Sequence, residues 1–122
     1  MAAAVAAAFV PGTSLDDVVE AAIGVAKDGT KRAIADVVAS ARKLRGGDKT
    51  HAEVTAEFHR VIAQYSPMGD DVNHSPDKAG MPTDAYQPSR LHAIEELPLA
   101  LGFAVVNDGA FRRSIEDGIN SG

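Results

Sequence analysis

The side chains able to hold a hard cation gather in one stretch. Asp70, Asp71, Asn73 and Asp77 lie with Gly69, Val72, His74, Ser75 and Pro76, and carboxylates with an amide are the oxygen ligands that Mg²⁺ or Ca²⁺ takes. Their spacing fails the obvious test. Read as an EF-hand loop from Asp71, the stretch has Pro76 where the sharp turn needs glycine and Pro82 where the bidentate glutamate belongs. A solvated, turn-rich loop accounts for the same composition. Glu95 and Glu96 would work as a general acid and base only if both faced one cleft, and adjacent helical residues point about 100° apart. Favourable charge early in a helix is the plainer reading of that pair. His51, His59, His74 and His92 are scattered. His51 and His59, eight apart, can share a helix face, but Thr55 stands at the i+4 position where a zinc-protease helix carries its second histidine. None of the serines lies in a GxSxG elbow, and Gly46 with Gly47 lacks the remaining spacing of a phosphate loop. Residue types and spacing alone give no self-sufficient active site.

Composition narrows the classes further. A net charge of -5 argues against a nucleic-acid footprint, which needs a clustered positive field. The absence of cysteine excludes disulfides, a thiolate zinc site and a thiol nucleophile, and points to a reducing, cytoplasmic setting. The opening MAAAVAAAFV is apolar but has no basic region before it, unlike a secretory signal. Neither it nor residues 97–106 approach the ~20 apolar residues that span a bilayer. At 122 residues the chain is long enough for a core of its own, and its apolar share is mostly Ala, Val, Leu and Ile, which suits close helix packing.

Any functional side chain must be positioned by helices. The pattern predicts six, at about 2–9, 14–27, 30–45, 50–65, 91–107 and 110–119, in an all-α multi-helix bundle. Pro11 and Gly12 end the first, which begins with no capping residue, as though a longer helix were entered in its middle. Ser14, with Asp17 three residues on, caps the second, whose stripe is Leu15, Val18, Val19, Ala22, Ile23 and Ala26. Asp28 and Gly29 turn the chain and Thr30 caps a third helix with Ile34, Val37, Val38, Ala41 and Leu44 on its apolar face. Thr50 and Glu53 form a capping box for the fourth, faced by Val54, Phe58, Val61, Ile62 and Tyr65. Ser89 and Asp108 are the caps expected for the last two.

Residues 66–89 hold four of the six prolines and no helical stripe, so this long loop either lines a site or lacks fixed structure. Beyond it, Pro98 should kink or delay a helix in which Leu97, Leu99, Ala100, Leu101, Phe103, Ala104, Val105 and Val106 leave no polar face. A helix apolar all round must be surrounded by protein, and the other helices here look too few to enclose it. The expectation is therefore a marginal or adhesive chain, a piece of a larger helical protein. A different reading of the same feature is a non-enzymatic helical module that binds a partner or itself through residues 97–106.

Three stretches carry a family likeness: AAAVAAAFVPGTSLDDVVEAAIGVAKDGTKRAI, the SPMGDD loop with PTDAYQPSR, and HAIEELPLALGFAVVNDGAFRRSIEDGINSG. On these the chain resembles the C-terminal half of an ADP-ribosylglycohydrolase, of the ADP-ribosyl-dinitrogen reductase hydrolase kind. The last stretch is the most specific, because in that family such a helix and an Asn-x-Gly turn directly precede an acidic metal motif. The resemblance implies a partial ADP-ribosylglycohydrolase-like fold and cleavage of the glycosidic bond between ADP-ribose and a protein side chain, with two Mg²⁺ or Mn²⁺ ions holding the ribose diol and a water. It further implies ligands from a Thr-Asp-Asp type motif and an Asp-x-Asp-Thr or Asp-x-Asp-Ser motif. Neither occurs in these 122 residues, so no catalytic or metal-ligating residue carries over and the chain alone is expected to be inactive. What carries over is scaffold. Met68, Gly69, Asp70 and Tyr86 would rim the substrate cleft, with Tyr86 either an adenine platform or a structural aromatic, and Asn120, Ser121 and Gly122 would approach the metals. The partner implied is an ADP-ribosylated substrate; the apolar helix at 97–106 separately offers a surface for self-association or a complementing fragment.

Overall fold

A computed structural model describes residues 1–65 and 93–121, and among them the chain is all helical. The helices are α1 (Ala2–Ala8), α2 (Leu15–Val25), α3 (Asp28–Leu44), α4 (His51–Ala63), α5 (Ala93–Val106) and α6 (Phe111–Ile119). Local signals set most of their ends. Ser14 accepts from the Asp17 amide while Asp17 reaches back to Ser14, and Thr50 with Glu53 repeats the arrangement, so two of the exposed helix starts satisfy their own orphan amides. These bonds hold the Asp17 and Glu53 carboxyls below the ordinary range.

Two expected caps are corrected. The third helix begins at Asp28, not after Thr30, with Lys27 as its first flanking residue and no side-chain cap. Asp28 absorbs the turn itself by taking φ +48, a left-handed conformation that aspartate tolerates better than most residues. The last helix starts from Ala110 without a side-chain cap, because Asp108 sits in the left-handed region at φ +52 and its carboxylate goes to Arg45, 3.3 Å away.

The core is built around α5. Pro98, Leu99, Leu101, Gly102, Phe103 and Val105 are buried, so the enclosure that seemed out of reach from composition is supplied by α3, with α2, α4 and α6 around it. The expectation of an uncovered face along residues 97–106 is thus corrected. The helix also runs through Pro98 without stopping. The enclosure of the helix has a physical reason, close approach. Gly102 presents bare backbone, and a Cβ built there would lie 2.6 Å from Val37 Cγ1 and 3.0 Å from Phe58 Cε2. Ile34, Val37, Val38 and Ala41 of α3 and Phe58 and Ile62 of α4 are wholly buried in the same core. Phe58 meets Phe103 edge to face at 5.0 Å, a geometry worth about 0.5–1.5 kcal/mol beyond the area it buries. Outside this core, Arg42 reaches both Asp16 and Glu20 and ties α3 to α2.

Gly102→Ala is expected to destabilise the chain by about 1–3 kcal/mol, the usual cost of overpacking, whereas Gly24→Ala in α2, with nothing within 4 Å of the new methyl, should stabilise by up to about 1 kcal/mol. Urea denaturation of the two variants beside the parent chain measures both signs.

Candidate functional site

The turn between α3 and α4 faces the turn between α5 and α6 across a cleft of about 370 Å³. Gly46, at φ +75, makes the first turn tight enough for the basic end of α3 and the start of α4 to share one wall. Leu44, Val54 and Val106 form its apolar floor, and Arg45, Lys49, His51, Asn107, Asp108, Arg113 and Asp117 bring polar groups to it.

A polar seam runs from this cleft along the contact between α4 and α6. The Asn107 amide donates to the Phe103 carbonyl at 3.1 Å and to Asp117 Oδ2 at 2.8 Å, which fixes the carboxylate where α5 ends. The other oxygen, Asp117 Oδ1, lies 3.4 Å from His51 Nδ1. Across the ring, His51 Nε2 has Thr55 Oγ1 at 3.4 Å and the Asn120 carbonyl oxygen at 3.5 Å, and the ring itself packs at 5.9 Å from Phe103. Two turns further along α4, His59 shares a hydrogen bond with the backbone of Ser121. Ser121 is buried, and its hydroxyl donates to the Gly118 carbonyl at 2.8 Å. The two histidines of one helix face thereby grip the C-terminal end of α6.

Hydroxyl, imidazole and carboxylate stand in the order Thr55, His51, Asp117, which resembles a nucleophile activated by a base. The separations, 3.4 Å on either side of the ring, are longer than the roughly 2.6–3.2 Å of a formed catalytic hydrogen bond, and in this structure the contacts hold the end of α6 against α4. Burial pushes the His59 imidazole below its ordinary pKa, and the Ser121 backbone bond opposes that shift.

The expected site residues fall into two groups. Asn120 is exposed and Ser121 buried at the end of α6, both against α4. Met68, Gly69, Asp70, Tyr86 and Gly122 lie outside the described residues, as do Asp71, His74, Asp77 and the expected caps and turns of residues 66–89. Glu95 is wholly buried and Glu96 exposed, so the pair diverges as adjacent helical residues must and shares no cleft. Among the described residues no group of three His, Asp or Glu side chains is placed to hold a metal ion. Nor is any described helix long and apolar enough to cross a membrane.

Protein-family models, curated proteins and solved structures were all compared with the chain, and none matches it. The seam itself was only half visible in sequence. The spacing of His51 and His59 on α4 was the available signal, while Asn107 and Asp117, more than forty residues away, join it only through the packing of α5.

Because the folded chain holds His59 with a lowered pKa, the unfolded chain binds the extra proton first as acidity rises. Stability from this group is therefore present above about pH 6.5 and is lost as the pH falls below it. Thermal midpoints between pH 7.5 and 5.5 should drop less in His59→Gln than in the parent chain; equal slopes would remove His59 as the cause.

Proposed function

We propose that the chain is a segment of an ADP-ribosylglycohydrolase-like hydrolase, one that cleaves the glycosidic bond between ADP-ribose and a protein side chain with the help of two Mg²⁺ or Mn²⁺ ions. The reading is supported by the three sequence stretches that carry the likeness and by the all-helical architecture. The single observation that bears on it most is the anchoring of residues 120 and 121. In the family this turn leads into the acidic motif, and here His51 and His59 fix its approach from a neighbouring helix. A turn that must deliver carboxylates to a metal pair within fractions of an ångström needs such support.

The described residues do not themselves fit a metal pair. In this reading, the chain supplies scaffold and cleft wall, and the ligands come from the two motifs that its sequence lacks. No chemical step is assigned to its own side chains. The second reading, docking of a partner through residues 97–106, draws less support, since Pro98, Leu99, Leu101, Gly102, Phe103 and Val105 are buried within the chain's own core and Ala100 is the exposed residue of the stretch.

The chain alone should release no ADP-ribose from a modified arginine or serine substrate, and Mn²⁺ should leave its melting temperature unchanged, because stabilisation requires binding to the folded state. Joining a Thr-Asp-Asp segment before it and an Asp-x-Asp segment after it, taken from a family member, should produce both metal binding and release. Saturable Mn²⁺ binding by the unextended chain, with a thermal shift of several degrees, would contradict this and direct attention to Asp70, Asp71 and Asp77.

A further inference from the structure

The cleft between the two turns carries a charge pattern that the seam does not use. The protein as a whole is acidic, at -5, yet Arg45, Lys49 and Arg113 converge on this one opening from three different elements. Their existing partners are weak competitors. Arg45 pairs with Asp108, whose side chain is 80% exposed, and Lys49 pairs with Glu53, itself 51% exposed. Pairs so open to solvent contribute about 0–1 kcal/mol and exchange readily with an incoming anion. Arg113 has no ion-pair or hydrogen-bond partner among the described residues. The remaining acid of the cleft, Asp117, is occupied by Asn107 and His51.

We propose that this cleft binds a small organic anion, its phosphate or carboxylate head held by Arg113, Arg45 and Lys49 and its short apolar body laid against Leu44, Val54 and Val106. A guanidinium presents donors in a fork that matches either oxyanion, and two such groups with an ammonium select for more than one negative charge. The apolar floor gives the site a reason to prefer an organic anion over a bare one, since burying a few methylenes adds to the charge contacts. The size of the opening, about 370 Å³, suits a molecule of that scale. The charge pattern of the cleft stands independently of the hydrolase reading, and neither metal nor ADP-ribose enters its test.

Sequence supplies the control. Arg112, beside Arg113, lies on the outer face of α6, 87% exposed and paired with Glu116 at 2.9 Å. Titration of the chain with inorganic phosphate and separately with citrate, at an ionic strength held constant with sodium chloride, should raise the melting temperature saturably and shift the amide resonances of Gly46 and Gly47. A response to phosphate alone identifies a phosphate head, and a response to citrate alone a carboxylate head. Arg113→Gln should weaken binding at least tenfold, while Arg112→Gln should change it less than twofold. Equal losses in the two variants, or a thermal shift reproduced by sodium chloride at the same ionic strength, would overturn the proposal.

Discussion

The packing of the described helices depends on a missing side chain. At Gly102 the backbone of α5 comes close enough to α3 and α4 that a single methyl would overlap Val37 and press on Phe58. That approach allows small and β-branched side chains to cover a helix with no polar face of its own. Ala33, Ile34, Val37, Val38 and Ala41 on α3 are fully buried as a consequence, and Phe58 can reach across to Phe103. A larger residue at 102 would hold the helices apart and leave much of α5 wet, at ~25 cal/mol for each Å² of apolar surface returned to water.

The same packing decides where polar groups meet. Because α5 is fixed in depth and rotation, Asn107 at its end can grip Asp117, and Asp117 can face His51 on α4. The end of α6 is thereby set relative to the core by a local bond from Asn107 and by contacts to His51, which lies more than fifty residues earlier in the sequence. The cleft beside it follows from the same placement, because Arg45 ends α3, Lys49 precedes α4 and Arg113 belongs to α6. Its apolar floor is the rim of the core.

Legibility in the sequence followed the range of the interaction. Among the described residues, the helical class and the helices themselves, the capping boxes at Ser14 and Thr50, and the stripes of α2, α3 and α4 were readable because each depends on residues within a few positions. The starts of α3 and α6 were not, since Asp28 and Asp108 look like turn and cap residues but take left-handed backbone, and Asp108 answers to Arg45 instead. Burial of α5 was misjudged for a different reason. Counting helices gives no hint that one glycine permits contact at backbone distance, which lets few and small residues enclose a long apolar surface. Of the candidate site, the pairing of His51 with His59 on one face was legible, and its partners Asn107, Asp117 and Ser121 were tertiary facts.

The central claim is that α5 is enclosed by the chain's own helices through the contact at Gly102. Native-state hydrogen exchange tests it most directly, because an amide in such a core opens only with global unfolding. The amides of Leu101, Gly102, Phe103 and Val105 should be the slowest to exchange, with free energies equal to that of urea unfolding, while α1 and α6 exchange by smaller openings. Protection of α5 no greater than that of α1 would contradict the account.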